Sequence, residues 1–254
     1  MRMSYAEAYD IRSEVARRLG WQVMTTDEPL PRVLEILWRD APPARRTRGL
    51  SRERIVTAAI ELVEAEGLGA LSMARLAERL GCGTMSLYRH VANKDELLTF
   101  MLSTAPDPPP TPDDPLDWRA ALSDWAAGLW DVYHRHPWVL QTAAAGPPVD
   151  PGQLAWLDAG LAALAATSMA ERDKLAAVMA ILHYVRGAAA LDIEAAVEGP
   201  DYPALLRRLL AGDRFPALAA AVASGVFDAA DHDHLAEFRS GLGQLLDGIA
   251  ARIT

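Results

Sequence analysis

The chain has 254 residues, a net charge of -9 and 51% hydrophobic residues, of which few are aromatic. That length holds one large domain or two smaller ones with a sizeable core, and an apolar content carried mostly by Ala and Leu favours helices over sheets. One cysteine, Cys82, excludes an internal disulfide and any multi-cysteine zinc site, and the acidic total argues against a nucleic-acid partner for the chain as a whole.

Residues 1–40 form a leader. Tyr5, Ala8, Tyr9, Arg12, Val15, Ala16 and Leu19 recur at helical spacing up to Gly20. Val33, Leu34, Ile36, Leu37 and Trp38 supply a second short helix over 31–38. That is too much apolar surface for a solvated tail, so the leader is expected to pack on a part of the chain that spacing does not identify. Its opening, MRMSYAEAYD, has no long apolar run, so no secretion signal is expected. No apolar run approaches the ~20 residues that cross a bilayer, so a cytoplasmic protein without a membrane partner is expected. From 41 to 49 the chain reads APPARRTRG, either a solvated linker or an arm laying Arg45, Arg46 and Arg48 along DNA. Residues 1–49 are thus an N-terminal extension with a basic arm at 41–49.

A helix is predicted over 51–66, capped by Ser51, stopped by Gly67 and striped with Ile55, Ala58, Ala59, Leu62 and Val63. Two shorter helices follow in LSMARLAERLGCGTMSLYRHVANK, residues 71–94. The first is capped by Ser72, turns Met73, Leu76, Ala77 and Leu80 inward, and stops at Gly81. The second runs over 84–91 with Leu87 and Val91 inward. Its other face carries Thr84, Met85, Ser86, Tyr88, Arg89 and His90, too polar and varied for core. A short helix, a Gly-containing turn and a second helix with such a face predict a helix-turn-helix that enters a DNA major groove. Arg89 suits a guanine or a phosphate, Thr84 and Ser86 a base edge or a phosphate, and Tyr88 a phosphate. Asn93, with Glu96 three residues on, predicts the cap of a further helix through Leu97, Leu98 and Met101. Between residues 45 and 94 nine Lys/Arg oppose five Glu, a net +4 that leaves -13 for the remainder. A basic module on an acidic body fits a DNA reader with a separate second domain. The reader is assigned to 50–104.

Residues 105–117 are proline-rich and predict a semi-rigid linker. From 118 to 254 the chain reads as helices, the first carrying Trp118 to Val132 and the others over 137–142, 151–167, 170–197, 202–211, 216–223 and 232–253, with no β-alternation and no internal repeat. The fold class is all-α. Trp118, Leu122, Trp125, Leu129 and Val132 share one face and are assigned to core. Trp130, His134, His183 and Tyr184 lie off the main stripes and, with Trp138 and Met179, are candidates for a ligand cavity, where a few polar handles orient an apolar guest. Arg186 falls on the face of Leu175, Met179, Leu182 and Ile193; a buried arginine there needs a partner, among Asp192, Glu194, an acidic ligand group or a second subunit. His134-Arg135-His136 and Asp231-His232-Asp233-His234 are the rival metal reading. The first trio ends a helix, where basic groups suit the dipole, and the second opens one, where Asp233 can cap. No nucleophile triad, phosphate loop or paired buried carboxylate is present, so no catalytic residue, metal or cofactor is expected, and the chain is read as no enzyme.

The run from Ser51 to Leu98 resembles the DNA-binding domain of the TetR family of bacterial transcriptional regulators. Glu66-Gly67, Leu71-Ser72, Leu76-Ala77, Leu80-Gly81, Leu87-Tyr88-Arg89-His90-Val91, and Lys94 with Leu97-Leu98 carry the match in order. His136-Pro137-Trp138 and the two long late helices look, more loosely, like a tetracycline-repressor type of ligand-binding domain. The resemblance implies an all-α homodimer that binds a palindromic double-stranded DNA operator and is released by a small, partly apolar effector; an activator of the same fold is the alternative. By position it implies that Thr84, Ser86 and Tyr88 face the groove and that His90 and Lys94 meet phosphates. Ala74 stands where tetracycline repressors read a base with arginine; Arg75 is beside it and Ser72 opens the helix. The small residues Gly187 to Ala190, Gly241, Gly243 and Gly248 permit close helix approach, within the chain or, as the resemblance implies, at a four-helix dimer interface.

Overall fold

Every element among the described residues (29–39, 49–143, 147–195, 202–210, 214–227 and 234–253) of this computed structural model is helical, as the all-α reading expects. The leader helix expected up to Gly20 and the arm residues Arg45, Arg46 and Arg48 lie outside them. In order the helices are α1 (Arg32–Leu37), α2 (Arg52–Glu66), α3 (Met73–Arg79), α4 (Thr84–Tyr88), α5 (Lys94–Thr104), α6 (Trp118–Arg135), α7 (Pro137–Ala143), α8 (Pro151–Ala163), α9 (Glu171–Ala195), α10 (Tyr202–Leu209), α11 (Pro216–Ala223) and α12 (His234–Ala250). Contacts gather them into two units, 1–111 with 131–162, and 112–130 with 163–254. One cut falls inside α6, between Trp130 and Asp131.

In the first unit local chemistry sets the boundaries. Ser51 accepts the Arg54 amide at 3.3 Å to open α2, and Gly67, at φ 80°, ends it in a backbone state that L side chains rarely adopt. Ser72 does the same for α3 through the Arg75 amide at 3.2 Å. Beyond Leu80, Gly81 turns left-handed at φ 65°, and the Gly81 and Cys82 amides bond back to the Glu78 and Ala77 carbonyls, both at 3.0 Å. Cys82 therefore closes the turn through its backbone. Ile55, Leu62, Leu76, Leu87, Val91, Leu97 and Met101 are fully buried and make the core of α2 to α5.

Asn93 caps α5 by accepting the Glu96 amide at 2.8 Å, and the Glu96 carboxylate reaches back to the Ala92 amide at 3.0 Å. Glu96 is buried, and its other oxygen takes Arg32 of the leader at 2.5 Å. The leader helix thus packs on α5. No residue of α1 is itself buried, and Trp38 just beyond it donates its indole N–H to the Val149 carbonyl at 3.0 Å.

Farther along, His136 is buried with Nδ1 2.7 Å from the Glu64 carboxylate of α2. Asp107, early in the proline-rich stretch, pairs with Arg135 and accepts the Trp156 indole N–H on its carbonyl at 3.0 Å. The first turn of α8 lies directly on the end of α5: the Gly152 amide is 3.4 Å from Ser103 Oγ, and a Cβ on Gly152 would stand 2.4 Å from the Ser103 carbonyl oxygen.

The second unit is built on α9 against α12. Val178, Ile181, Val185 and Ala189 of α9 are buried, as are Phe238, Leu242, Leu246 and Ile249 of α12 and Leu122, Trp125 and Leu129 of α6. Tyr184 donates its hydroxyl to the Phe238 carbonyl at 2.9 Å and crosses Gly241, whose added Cβ would sit 2.1 Å from that oxygen. Lys174 is buried along its stem with Nζ 2.8 Å from Glu171 and 3.4 Å from the Ala165 carbonyl.

Three expectations need correction here. The face of α9 that carries Leu175, Met179, Leu182, Arg186 and Ile193 is half-exposed to exposed, so Arg186 is not a buried arginine. The helix is Ala- and Leu-rich on two sides, and spacing alone does not choose between them. Trp118 is half-buried while the off-stripe Trp130 is buried. Finally, Glu171–Glu194 is long and apolar enough, by length and composition, to cross a membrane. Lys174, His183 and Arg186 split it into short apolar pieces, which hides it from a search for unbroken runs.

Gly152→Ala is expected to destabilise the chain by about 1–3 kcal/mol, because backbone on both helices must give way. Thermal unfolding of the two proteins side by side checks this; an unchanged midpoint would mean that α5 and α8 do not touch.

Candidate nucleic-acid interface and cavity

On α4 the sequence buries one residue, Leu87, and turns the rest outward. Met85 is 76% exposed and Tyr88 45%, while Thr84, Ser86 and His90 are half-buried. The helix is one residue past a single turn: the Arg89 backbone already begins the exit, where the His90 and Val91 amides both return to the Leu87 carbonyl at 2.8 and 3.0 Å. Expectation ran it on to residue 91. Arg89 is exposed and donates Nη2 to Ser86 Oγ at 3.1 Å. Lys94 stands exposed at the first position of α5. Thr84, Met85, Ser86, Tyr88 and Arg89 are thus held on one short helix, with His90 and Lys94 on the turn into α5.

The helix before it is differently disposed. Ser72 is exposed, but its hydroxyl oxygen is committed to the cap. Arg75 pairs with Glu66, and Arg79 lies 3.3 Å from Glu61, so two basic groups of the reader are answered from α2. Ala74 is exposed. Arg54 Nη1 holds the Gly49 carbonyl at 2.8 Å and so ties down the end of the basic arm.

The second unit contains a cavity of about 420 Å³. Two ridges of α9 line it, His183–Gly187–Leu191 and Tyr184–Ala188–Asp192, each stepping by four residues, and Trp130, His234, Glu237 and Phe238 complete it. Phe238 stacks on Trp130, with centroids 4.4 Å apart and planes at 25°, and on Tyr184 at 5.7 Å and 10°. Burial, and then the Glu237 charge, push the Tyr184 hydroxyl above its ordinary pKa, so it stays a donor to the Phe238 carbonyl. His234 Nδ1 is 3.6 Å from the Asp192 carboxylate.

Of the cavity candidates, the structure brings Trp130, His183 and Tyr184 together. Met179 and Arg186 are half-buried on α9 outside the lining. His134 and Trp138 belong to the first unit, His134 half-buried and Trp138 buried. The Trp138 indole nitrogen is the one buried side-chain polar atom without a hydrogen-bond partner among the described residues. Sequence reasoning missed Gly187, Ala188, Leu191, Asp192, His234, Glu237 and Phe238 as lining. For the α9 residues the signal was present: four-residue steps from His183 and Tyr184 reach both ridges. Among the described residues no three His, Cys, Asp or Glu converge as metal ligands, and Asp231 to Asp233 lie outside them.

Residues 55–99 match the family model for bacterial regulatory proteins of the tetR family, and 111–253 that for the tetracyclin repressor-like C-terminal domain. The chain is 35% identical over 238 residues to the HTH-type transcriptional repressor DrrR1 of Streptomyces coeruleorubidus, spanning 87% of this chain and 85% of that one. It is 32% identical over 142 residues to the tetracycline repressor protein class C of Escherichia coli, 55% of this chain and 64% of that one. The Streptomyces coelicolor TetR family protein ActR, solved in complex with (S)-DNPA, superposes with a TM-score of 0.68 at 25% identity over 81% of this chain and all of that one. Matched in its reader, in its helical body and over most of a relative's length, the chain belongs to the TetR family of DNA-binding transcriptional regulators.

Proposed function

We propose that the chain is a ligand-released repressor that binds a palindromic DNA operator as a homodimer in the bacterial cytoplasm. The DNA-facing half rests on α4, which buries only Leu87 and leaves Met85 and Tyr88 in solvent, an apolar-rich surface that a merely solvated helix has no reason to present. Thr84, Met85, Ser86, Tyr88 and Arg89 meet the groove, His90 and Lys94 the phosphates, with Ser72 and Arg75 at the front of α3 nearby. Arg45, Arg46 and Arg48 lie along the backbone beside them. Repression is the action in the names of the relatives DrrR1 and the class C tetracycline repressor.

Residues 50–104 read DNA, 105–117 link, and 118–254 hold the effector and the partner chain. The effector enters the cavity of α6, α9 and α12; the bound (S)-DNPA of ActR supports a small-molecule site in this fold. Helix α6 carries Trp130 of that cavity and, five residues on, Arg135, about 7.5 Å along the axis. Arg135 and the following His136 are tied to Asp107 and Glu64, so a shift of α6 pulls on α2 and on the exit from α5. Two readers so displaced lose the spacing of one helical turn of DNA. For the dimer, Gly187, Gly243 and Gly248 leave open space around their backbones, and Leu175 and Leu191 are exposed on α9. The same helix is read as an interface element, not a membrane span.

Binding to DNA upstream of its own gene, at two chains per site, with loss on addition of an effector, tests the reading; binding as a monomer would overturn the dimer. Tyr88→Ala should weaken that binding by about 1–3 kcal/mol with helicity unchanged, since the side chain supports no core. Changing Arg45, Arg46 and Arg48 to alanine should flatten the salt dependence by about 0.9 for every phosphate that the arm no longer neutralises; an identical slope assigns the arm to solvent. Glu64→Gln keeps the reader and removes the charge facing His136. It should leave operator affinity within about threefold while raising the effector concentration needed for release, and equal release curves would remove the tie from the mechanism.

A further inference from the structure

Helix α1 is fastened in an unusual way. It has six residues and buries none of them, so it adds little to the core. It is instead tied at both ends by polar contacts. At its start Arg32 meets the buried carboxylate of Glu96, in the first turn of α5, at 2.5 Å. Just past its end the Trp38 indole N–H donates to the Val149 carbonyl at 3.0 Å. Val149 precedes Asp150, which opens α8 by accepting the Gln153 amide at 2.9 Å.

The far end of α5 reaches the same place by another route. Ser103, in its last turn, meets Gly152 in the first turn of α8. Glu96 and Ser103 are seven residues apart on α5, about 10.5 Å along the axis, and Arg32 and Trp38 six apart, about 9 Å. The two helices are therefore the long sides of a triangle whose short side is the entry to α8. The reader also meets the rest of its unit through α5 on α7 and through Glu64 beside His136. A rod held near its last turn can still swing at its first, and the leader closes that freedom.

We propose that residues 32–38 are a strut that fixes the tilt of the reader, and so sets how sharply the protein discriminates between operators of different half-site spacing. Arg32 and Trp38 are its positioning residues, acting through Glu96 and Val149. This rests on reading the chain as a dimer on a palindromic operator. One base pair inserted between half-sites moves one of them by about 3.4 Å and turns it by about 35°. Readers of fixed tilt cannot follow that displacement, whereas readers free to tilt follow it in part and give up order on binding at any spacing.

The test selects a duplex from a random-sequence pool with the full chain. Binding is then measured to that duplex and to versions with one base pair added or removed between the half-sites. The unaltered chain should lose about tenfold or more for either change. That loss should be about threefold smaller in Trp38→Phe, which keeps a ring and removes the donor, and in Arg32→Ala, a change of the size that one hydrogen bond supplies. Because both ties belong to one strut, the double variant should do no more than either single one. Discrimination unchanged in the single variants overturns the proposal, as do additive effects in the double. Equal weakening at all three spacings also overturns it, and assigns α1 to stability alone. If Arg32→Ala fails to fold, Trp38→Phe, whose change lies at the surface, decides by itself. If the unaltered chain selects single half-sites or binds one chain per duplex, the dimer reading fails, and the proposal with it.

Discussion

Glu96 is a carboxylate removed from water at the positive end of α5, and two contacts keep it there: the Ala92 amide at 3.0 Å and the Arg32 guanidinium at 2.5 Å. A buried charge without partners costs far more than a surface pair contributes, so these contacts are conditions of the fold. The Ala92 bond fixes the turn between α4 and α5, which sets the angle at which α4 leaves the core. The Arg32 bond recruits the leader. A segment that looks like an appendage is therefore part of the frame that aims the reader, although it buries none of its own residues.

This explains which parts of the molecule were legible in its sequence. Ser51, Gly67, Ser72, Gly81 and Asn93 act within a few residues of themselves, through caps and left-handed turns, and they place the reader to within a residue or two. The leader's partner was not legible, because Arg32 and Glu96 are 64 residues apart and neither has a local pattern that names the other. Helix α9 failed for a different reason. Its apolar residues cover more than one face, and only packing against α12 decides that Val178, Ile181 and Val185 go inward and leave Leu175 outside. Of the small residues, Gly241 serves a contact within the chain, under Tyr184, whereas Gly187 and Gly248 border open space. Composition treats the three alike.

Charge is distributed more finely than the +4 of the basic module suggests. Arg75 and Arg79 are answered by Glu66 and Glu61 of the supporting helix, Arg52 lies over the Phe100 ring at 5.1 Å, and Arg54 holds the Gly49 carbonyl. Arg89 and Lys94 stand exposed around α4. Exposed pairs such as Arg75–Glu66 contribute little stability. Their effect is to orient: they hold α3 on α2.

A ligand shifts an equilibrium only by its difference in affinity for the two states. On the proposed reading, the occupant of the cavity therefore changes a contact that differs between the DNA-bound and released forms. The wall supplies two such contacts. Trp130 belongs to α6, whose last turn is tied to Glu64 and Asp107, so stacking on Trp130 acts along one chain toward the reader. Phe238 and Tyr184 clamp α12 to α9 across Gly241, so stacking on them acts on the pair of helices proposed to meet a second copy. Both contacts begin on adjoining rings, since Phe238 stacks on Trp130 and on Tyr184. At Gly241 the two helices are joined through the Tyr184 side chain, whose hydroxyl donates to the Phe238 carbonyl, so the absence of a side chain at that position is what lets the tyrosine reach across.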